Sequence, residues 1–179
     1  MRFFFILCIC LLVTSCIPLS FAPNIEANTI KIAKRFKRNL PKQYSYIFED
    51  PKEANEFFDY INTKYQLPGI ERKIPIWIDT KPYIMNFYER KKATRTVNII
   101  PIMFDAALSS DDNDGLGLFN ELYTSKRVKW YIIITITDLK GQDALSPKYA
   151  ECKGVLMFLE AMQKEYLSTA NYMEAYFRN

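Results

Sequence analysis

Carboxylates are the side chains of this sequence that could do acid–base chemistry, because it has 20 Asp and Glu residues and no histidine. The lack of histidine excludes Ser-His-Asp and Cys-His nucleophilic catalysis and the HExxH type of zinc helix. Asp79 and Asp138 each end a predicted strand, and two carboxylates across a cleft can hydrolyse a glycosidic bond. A carboxylate-dependent cell-wall or glycan hydrolase is therefore one hypothesis, although the glycines expected beside a sugar site are missing.

Cysteine and glycine offer little further chemistry. Cys152 lies on the apolar side of a predicted helix, and we expect it to pack as an unreactive core residue. The 4 cysteines include two in the apolar start of the chain, so too few are left for a thiolate-rich zinc or iron–sulfur site. None of the 5 glycines lies in a phosphate-binding loop. We therefore expect no cofactor and no metal.

Residues 110–121 form the loop with the densest acidic side chains. The loop resembles the calcium-binding loop of EF-hands, with Asp112, Asp114 and Glu121 at ligand positions and Gly115 at the bend. It departs from that pattern because Ser110 stands where the first aspartate is expected and because no helix clearly enters it. A solvated turn without calcium is the interpretation that we prefer.

The same loop is also a candidate protein-binding site. The segment from residue 96 to residue 125 has acidic residues and no basic one, and such a segment can dock onto a basic protein surface. Ordinary solvation of a surface loop is the alternative. The candidate partner-binding residues are Asp111, Asp112, Asp114 and Glu121, and a basic counterpart on this chain consists of Lys81, Arg90, Lys91, Lys92 and Arg95.

The elements that would position these residues form a block of strands with helices at the ends. Hydrophobic patterns predict strands at 74–80, 83–89, 94–104 and 128–139, with a hairpin turn at 90–93. Asp50 and Pro51 are expected to start a helix that ends near residue 67, and a second helix is expected from 146 to 167, followed by a short one at 171–177. The order indicates an α+β fold, with an antiparallel sheet of about four strands and helices packed on one face.

A basic segment lies before these elements. Ile32, Phe36 and Leu40 are four residues apart and would share one face of a helix whose other faces are rich in lysine and arginine. Such a helix could lie on an anionic membrane surface. We prefer the alternative in which the apolar side chains pack on the domain and the basic ones are solvated.

The first residues have the order of a secretory signal. Arg2 supplies a positive charge, residues 3–13 are without a polar side chain, and small residues follow. The sequence Val13-Thr14-Ser15-Cys16 resembles the lipobox of bacterial lipoproteins. The resemblance implies that Cys16 is acylated, for example with palmitate, and becomes the first residue of the mature protein. Because Ile17 rather than aspartate follows the cysteine, it also implies the outer membrane, on the periplasmic side. An ordinary cleaved signal ending near residue 20 or 22 is the alternative.

The expected organisation is a signal peptide at 1–15, a lipid anchor and tether at 16–28, and a single domain at 29–179. The leading hypothesis is a non-enzymatic, membrane-anchored periplasmic lipoprotein that binds another protein. Its most concrete form is an immunity protein that neutralises a secreted toxin delivered into the periplasm. An accessory lipoprotein of an envelope assembly, such as a secretion or conjugation system, is the second hypothesis. No nucleic acid is expected as a partner.

Overall fold

The computed structural model describes residues 16–67, 73–98, 102, 124–170 and 172. The strand order is β1-β5-β6-β3-β2, with β4 paired to β5, and every strand pair of described register is antiparallel. The predicted α+β class with an antiparallel sheet is confirmed, but the expectation of about four strands is wrong, because the described residues form a sheet of six strands. The strands are β1 (Cys16–Ser20), β2 (Thr29–Ile32), β3 (Tyr44–Asp50), β4 (Ile74–Ile78), β5 (Lys81–Asn98) and β6 (Thr124–Asp138); the helices with described bounds are α1 (Ala33–Phe36), α2 (Glu56–Tyr65) and α3 (Cys152–Ser168).

The strands that the sequence did not predict lie before residue 51. The expected tether includes β1, and the expected basic helix is one turn, α1, between β2 and β3. Ile30 of β2 is paired with Tyr46 of β3, so the residues up to Ile32 form a strand and not the start of the expected helix. Phe36 and Leu40 are buried while Lys34 and Lys37 are exposed. The expectation that the apolar side chains of this segment pack on the domain is therefore confirmed.

The predicted hairpin turn at 90–93 is wrong, because β5 continues through it. These residues are Arg, Lys, Lys and Ala, none of which has the turn-forming chemistry of Gly, Asn, Asp or Pro. The hairpin turn lies earlier, between Ile78 of β4 and Lys81 of β5, which are paired. The predicted strand at 83–89 and the first part of the predicted strand at 94–104, as far as residue 98, are therefore parts of one long strand, β5.

Both long helices start later than predicted. Asp50 ends β3 instead of capping a helix, and its carboxylate accepts a hydrogen bond from the Lys52 backbone N–H at 3.0 Å. Before α3, the N–H of Tyr149 donates to Ser146 at 2.9 Å and the N–H of Cys152 donates to Tyr149 at 3.1 Å. These bonds span three residues, so the chain makes tight turns where a helix was expected. Within the described residues, no helix combines the length and the apolar character needed to cross a bilayer.

The chain divides into two compact units. One consists of residues 1–23 and 92–129, and in it β1 is paired with the last residues of β5. Ser20 Oγ donates to the Ala93 carbonyl at 2.9 Å, and the Ala22 N–H donates to Thr94 Oγ1 at 3.0 Å. The other unit consists of residues 24–91 and 130–179 and contains the hydrophobic core.

In this second unit, the two longer helices share one core cluster with four strands. Phe57 of α2 packs against Phe48 of β3 and Tyr166 of α3, with ring centroids 5.9 Å and 5.0 Å apart. On the other side of the sheet, Phe36 of α1 packs edge-on against Tyr131 of β6 at 5.2 Å. Because alternate residues of a strand point to opposite faces, Tyr131 and the neighbouring core residue Ile132 show that β6 is covered on both faces here. The expectation that the helices pack on one face therefore holds for α2 and α3 but is wrong for α1.

Candidate functional site

One surface feature of the second unit is an apolar groove, which we call the Trp77 groove. It lies where edge strand β4 and the turn after it meet the first turns of α3, and its volume is about 310 Å³. Trp77 is 69% exposed and Met157 is 62% exposed, so two large apolar side chains that line the groove keep most of their surface in solvent. The residues that line the groove are Trp77, Ile78, Asp79, Gly154, Met157 and Phe158.

The alternation of β4 explains why Trp77 faces outward. Ile74, Ile76 and Ile78 are buried, so the residues between them lie on the other face of the strand. The residues on that other face are Pro75 and Trp77. The alternation of Ile76, Trp77 and Ile78 is the sequence signal from which an exposed tryptophan on this strand can be predicted.

The turn that carries Asp79 has an unusual backbone. Asp79 has φ 46° and Thr80 has φ 69°, and they are the two residues between the paired Ile78 and Lys81. Two consecutive residues with positive φ are the geometry of a type I′ hairpin turn, which favours Asn-Gly or Asp-Gly. Thr80 is β-branched, so its left-handed backbone is strained. The strained turn fixes Asp79 beside α3.

Gly154 allows the Asp79 carboxylate to lie against α3. A Cβ at position 154 would be 3.3 Å from Asp79 Oδ2, which is tighter than an ordinary van der Waals contact. Among the described residues, the Asp79 side chain forms no hydrogen bond and no ion pair. The amino end of α3 provides a favourable dipole for this carboxylate but no full positive charge.

An ion pair lies beside the groove. Lys81, two residues after Asp79, forms a salt bridge with Glu151, which directly precedes α3. The side-chain hydrogen bond between them raises the pKa of Lys81 and lowers the pKa of Glu151. Because these two charges are paired with each other, Asp79 is left as the unpaired charge among the residues that line the groove.

Asp138, the second carboxylate of the hydrolase hypothesis, has a structural task in the turn after β6. Its Oδ1 accepts hydrogen bonds from the N–H groups of Lys140 at 2.9 Å and Gln142 at 2.8 Å. Gly141, with φ 77°, supplies the left-handed residue of this turn. Asp79 lines the Trp77 groove and Asp138 does not. The described contacts of Asp138 are therefore those of a turn and not of the groove that Asp79 lines.

The predicted partner-binding residues Asp111, Asp112, Asp114 and Glu121 lie outside the described residues, as does the whole loop at 110–121. Their role stays a prediction. Cys16 is the first residue of β1, opposite Asn98. Its acylation also stays a prediction.

Cys152, the first residue of α3, is partly buried and is a free thiol. Burial raises the pKa of this thiol, and the nearby Asp143 raises it further. A high pKa keeps the group protonated and weakly nucleophilic at neutral pH. This agrees with the expectation that it is an unreactive residue, although its side chain is only half-buried instead of fully in the core.

The second unit also contains a buried group of carboxylates and tyrosines, which we call the Asp50 cluster. Asp50 is 5% exposed, and the single O–H of Tyr166 is shared between its two carboxylate oxygens, at 3.0 Å and 2.9 Å. Burial raises the pKa of Asp50, and burial likewise raises the pKa of Glu89, whose carboxylate accepts a bond from the Asn55 N–H at 3.0 Å. Tyr172 donates to Glu56 beside them.

Lys52 is the cation of this cluster. Its Nζ donates to the carbonyls of Tyr166 and Thr169, both at 2.7 Å, and lies 4.3 Å from the centroid of the Tyr166 ring. It therefore satisfies carbonyls at the carboxyl end of α3, where a positive charge is favoured. Since Asp50 is buried, a substrate cannot reach it directly. The arrangement serves the attachment of α3 to β3.

A second hollow, of about 650 Å³, lies between residues 26–28 and the outer face of α3. Its charged lining residues are Glu26, Glu160 and Lys164, of mixed sign. Gln163 spans it by donating to the Ala27 carbonyl at 2.9 Å and accepting from the Tyr46 hydroxyl. This hollow favours no single class of ligand.

No group of His, Cys, Asp and Glu side chains with the arrangement of a metal site occurs in the described part of the chain. Comparison of the sequence and the fold with protein-family models, with curated proteins and with solved structures gave no match to this chain.

Proposed function

We propose that this chain is a non-enzymatic lipoprotein, anchored by Cys16 to the periplasmic face of the outer membrane, that binds another protein. In its most specific form it is an immunity protein that neutralises a toxin delivered into the periplasm. The lipobox resemblance of residues 13–16 supports the anchor. The observation that carries the binding role is the Trp77 groove.

The groove supports binding because it joins exposed apolar surface to one unpaired charge. Trp77 and Met157 keep most of their surface in solvent, and contiguous exposed apolar groups rimmed by polar ones are typical of protein interaction sites. Tryptophan is also among the residues that contribute most to binding energy at interfaces. Asp79 adds a charge that can select a partner.

The described residues also favour binding over hydrolysis. The Asp138 carboxylate is already engaged by two backbone N–H groups, and Asp50 is buried under Tyr166. Neither carboxylate is left exposed opposite Asp79 in the Trp77 groove. The proposal of an enzyme therefore has less support than the proposal of a binding protein.

A competition between sister cells tests the immunity function even while the toxin is unidentified. Cells from which the gene has been deleted are grown in dense contact with the parent strain, and survival of the deletion strain is counted. An immunity protein predicts that the parent kills the deletion strain and that a plasmid copy of the gene restores survival. Equal survival of deletion and parent strains would contradict the immunity function.

Matched variants connect this result to the groove. Trp77→Asp should fail to restore survival, whereas Leu139→Asp, at a residue that is also 68% exposed, should restore it. A photo-reactive amino acid at position 77, and at position 139 as the control, then identifies the protein in contact with the groove. Crosslinks from position 77 to components of an envelope machine, with no toxin among them, would favour an accessory lipoprotein instead.

The predicted acidic loop is tested in the same assay. If Asp111, Asp112 and Asp114 contact the partner, replacing all three with lysine should abolish protection, because like charges would face a basic surface. Protection by this variant at the level of the unmodified protein would remove the loop from the interface.

A further inference from the structure

We infer that the Trp77 groove holds an arginine side chain of the partner protein, flanked by apolar residues, with Asp79 as the counter-ion. This inference rests on the proposed binding function and specifies the chemistry that the groove recognises. It is supported by three features that occur together, namely an exposed indole, an unpaired carboxylate and an apolar floor.

Charge gives the first reason for a cation. Asp79 forms no ion pair among the described residues, while the nearby Lys81 and Glu151 neutralise each other. Lys153, which is exposed on α3, is not among the groove residues. A positive group from a partner therefore finds one carboxylate to pair with and no competing cation in the groove.

The aromatic ring gives the second reason. The face of an indole attracts a cation through its quadrupole, and arginine uses this contact more often than lysine. A guanidinium can stack on Trp77 and at the same time present its planar fork to a carboxylate. The aliphatic part of the arginine and its apolar neighbours would then lie against Met157 and Phe158.

The position of Asp79 gives the third reason. A strained turn with two positive φ angles places its carboxylate over Gly154, at a point where any larger side chain on α3 would press against Oδ2. A structural role is the alternative, in which Asp79 only stabilises the amino end of α3. The two roles differ because binding of a cation depends on Asp79 only if Asp79 is the counter-ion of the partner's arginine.

Short peptides test the inference on the full-length lipoprotein in detergent. The probes are the acetylated amides Gly-Leu-Arg-Leu-Gly and its citrulline counterpart, in which a neutral urea replaces the guanidinium at nearly equal shape. The chain has 2 tryptophans, so 5-fluorotryptophan gives two ¹⁹F signals, which Trp77→Phe assigns. We expect the arginine peptide to shift the Trp77 signal saturably and the Trp130 signal little.

The expected effect of the charge is large enough to measure. The citrulline peptide should bind about tenfold more weakly, as should the arginine peptide to Asp79→Asn, because a charge-assisted bond is lost in each case. Glu53→Gln, an exposed carboxylate that is not in the groove, is the matched control and should bind as the unmodified protein does. Gly154→Ala should weaken binding by displacing the Asp79 carboxylate.

Three results would overturn the inference. Equal affinity for the arginine and citrulline peptides would show that the groove does not recognise the positive charge, and this comparison needs no variant to fold. Asp79→Asn with lowered stability but unchanged peptide affinity would assign Asp79 to the structural role. A Trp77 signal that moves with protein concentration in the absence of peptide would identify a second copy of the chain as the occupant. Survival in the sister-cell competition is independent of all three, so the binding function can hold while this inference fails.

Discussion

Thr80, in the turn next to the groove, has a strained backbone, since a β-branched residue with φ 69° is disfavoured by its own Cβ. Thr80→Gly removes that conflict but gives the unfolded chain more freedom, which offsets part of the gain. We expect a net stabilisation of about 0.5–1 kcal/mol. The free energy of unfolding from urea titrations measures it.

Thr80→Ala is the control for this change. Alanine keeps the Cβ that causes the strain but not the branch, so its effect should be smaller than that of glycine. A Thr80→Ala variant as stable as Thr80→Gly would show that the Cβ is not the source of strain. A Thr80→Gly variant less stable than the unmodified protein would show that the turn is unstrained.

Asp50 links stability to pH. Burial raises the pKa of this carboxyl above its usual 3.8, so the folded chain binds the proton more tightly than the unfolded chain. Protonation therefore favours the folded state, and that contribution is lost as the pH rises from 3.8 through the raised pKa. An asparagine at this position stays neutral throughout and keeps an oxygen for the Tyr166 hydroxyl.

The measured quantity is the free energy of unfolding of the unmodified protein minus that of Asp50→Asn, between about pH 4 and about pH 7. This difference should fall as the pH rises and level off above the raised pKa. Glu53→Gln, which removes an exposed carboxylate, is the control for the loss of one charge. A difference that rises over this range would mean that the folded state favours the charged form of Asp50.

At the scale of the elements, α3 is attached at its carboxyl end by Lys52. Methionine has a similar length but cannot donate to the Tyr166 and Thr169 carbonyls or interact as a cation with the Tyr166 ring. Lys52→Met should lower the free energy of unfolding by about 1–3 kcal/mol. Lys148→Met, at an exposed lysine, should change it by no more than about 0.5 kcal/mol. Equal effects of the two variants in urea unfolding would contradict the role of Lys52.

The elements also show what sequence patterns can predict. Strands with strong alternation or a continuous apolar centre, such as β4 and β6, were predicted, although β6 begins at Thr124, earlier than the predicted residue 128. β2 was not predicted, because Ile32 at its end also fits a helical face with Phe36 and Leu40, and only pairing such as Ile30 with Tyr46 decides between strand and helix. β3 was not predicted either. The helix starts were placed too early since Asp50 and Ser146 form turns there instead of caps.

The candidate site was predicted only in part, because contacts between residues distant in the chain form it. Asp79 was singled out as a carboxylate at the end of a strand, but its neighbours in the groove lie on α3, far along the chain. No local pattern brings Trp77 to Met157 or explains why residue 154 is a glycine. The hydrolase hypothesis paired Asp79 with Asp138, whose carboxylate instead closes its own turn.

At the scale of the whole molecule, we propose a domain that is held at a membrane and presents a binding groove. In this proposal the anchor depends on Cys16, and the binding role depends on Trp77 and Asp79. An immunity protein needs both, because it must be at the place where the toxin arrives and must then contact it. Loss of the anchor should therefore abolish protection even where the domain still folds.

Metabolic labelling with a palmitate analogue tests the central claim, the lipid anchor at Cys16, most directly. The unmodified protein and Cys152→Ser should both take up label and partition into detergent, whereas Cys16→Ser should take up none and lose its membrane association. Cys152→Ser is the matched control because it removes the cysteine at the start of α3 and leaves the lipobox intact. Labelling of Cys16→Ser at the level of the unmodified protein would contradict the anchor.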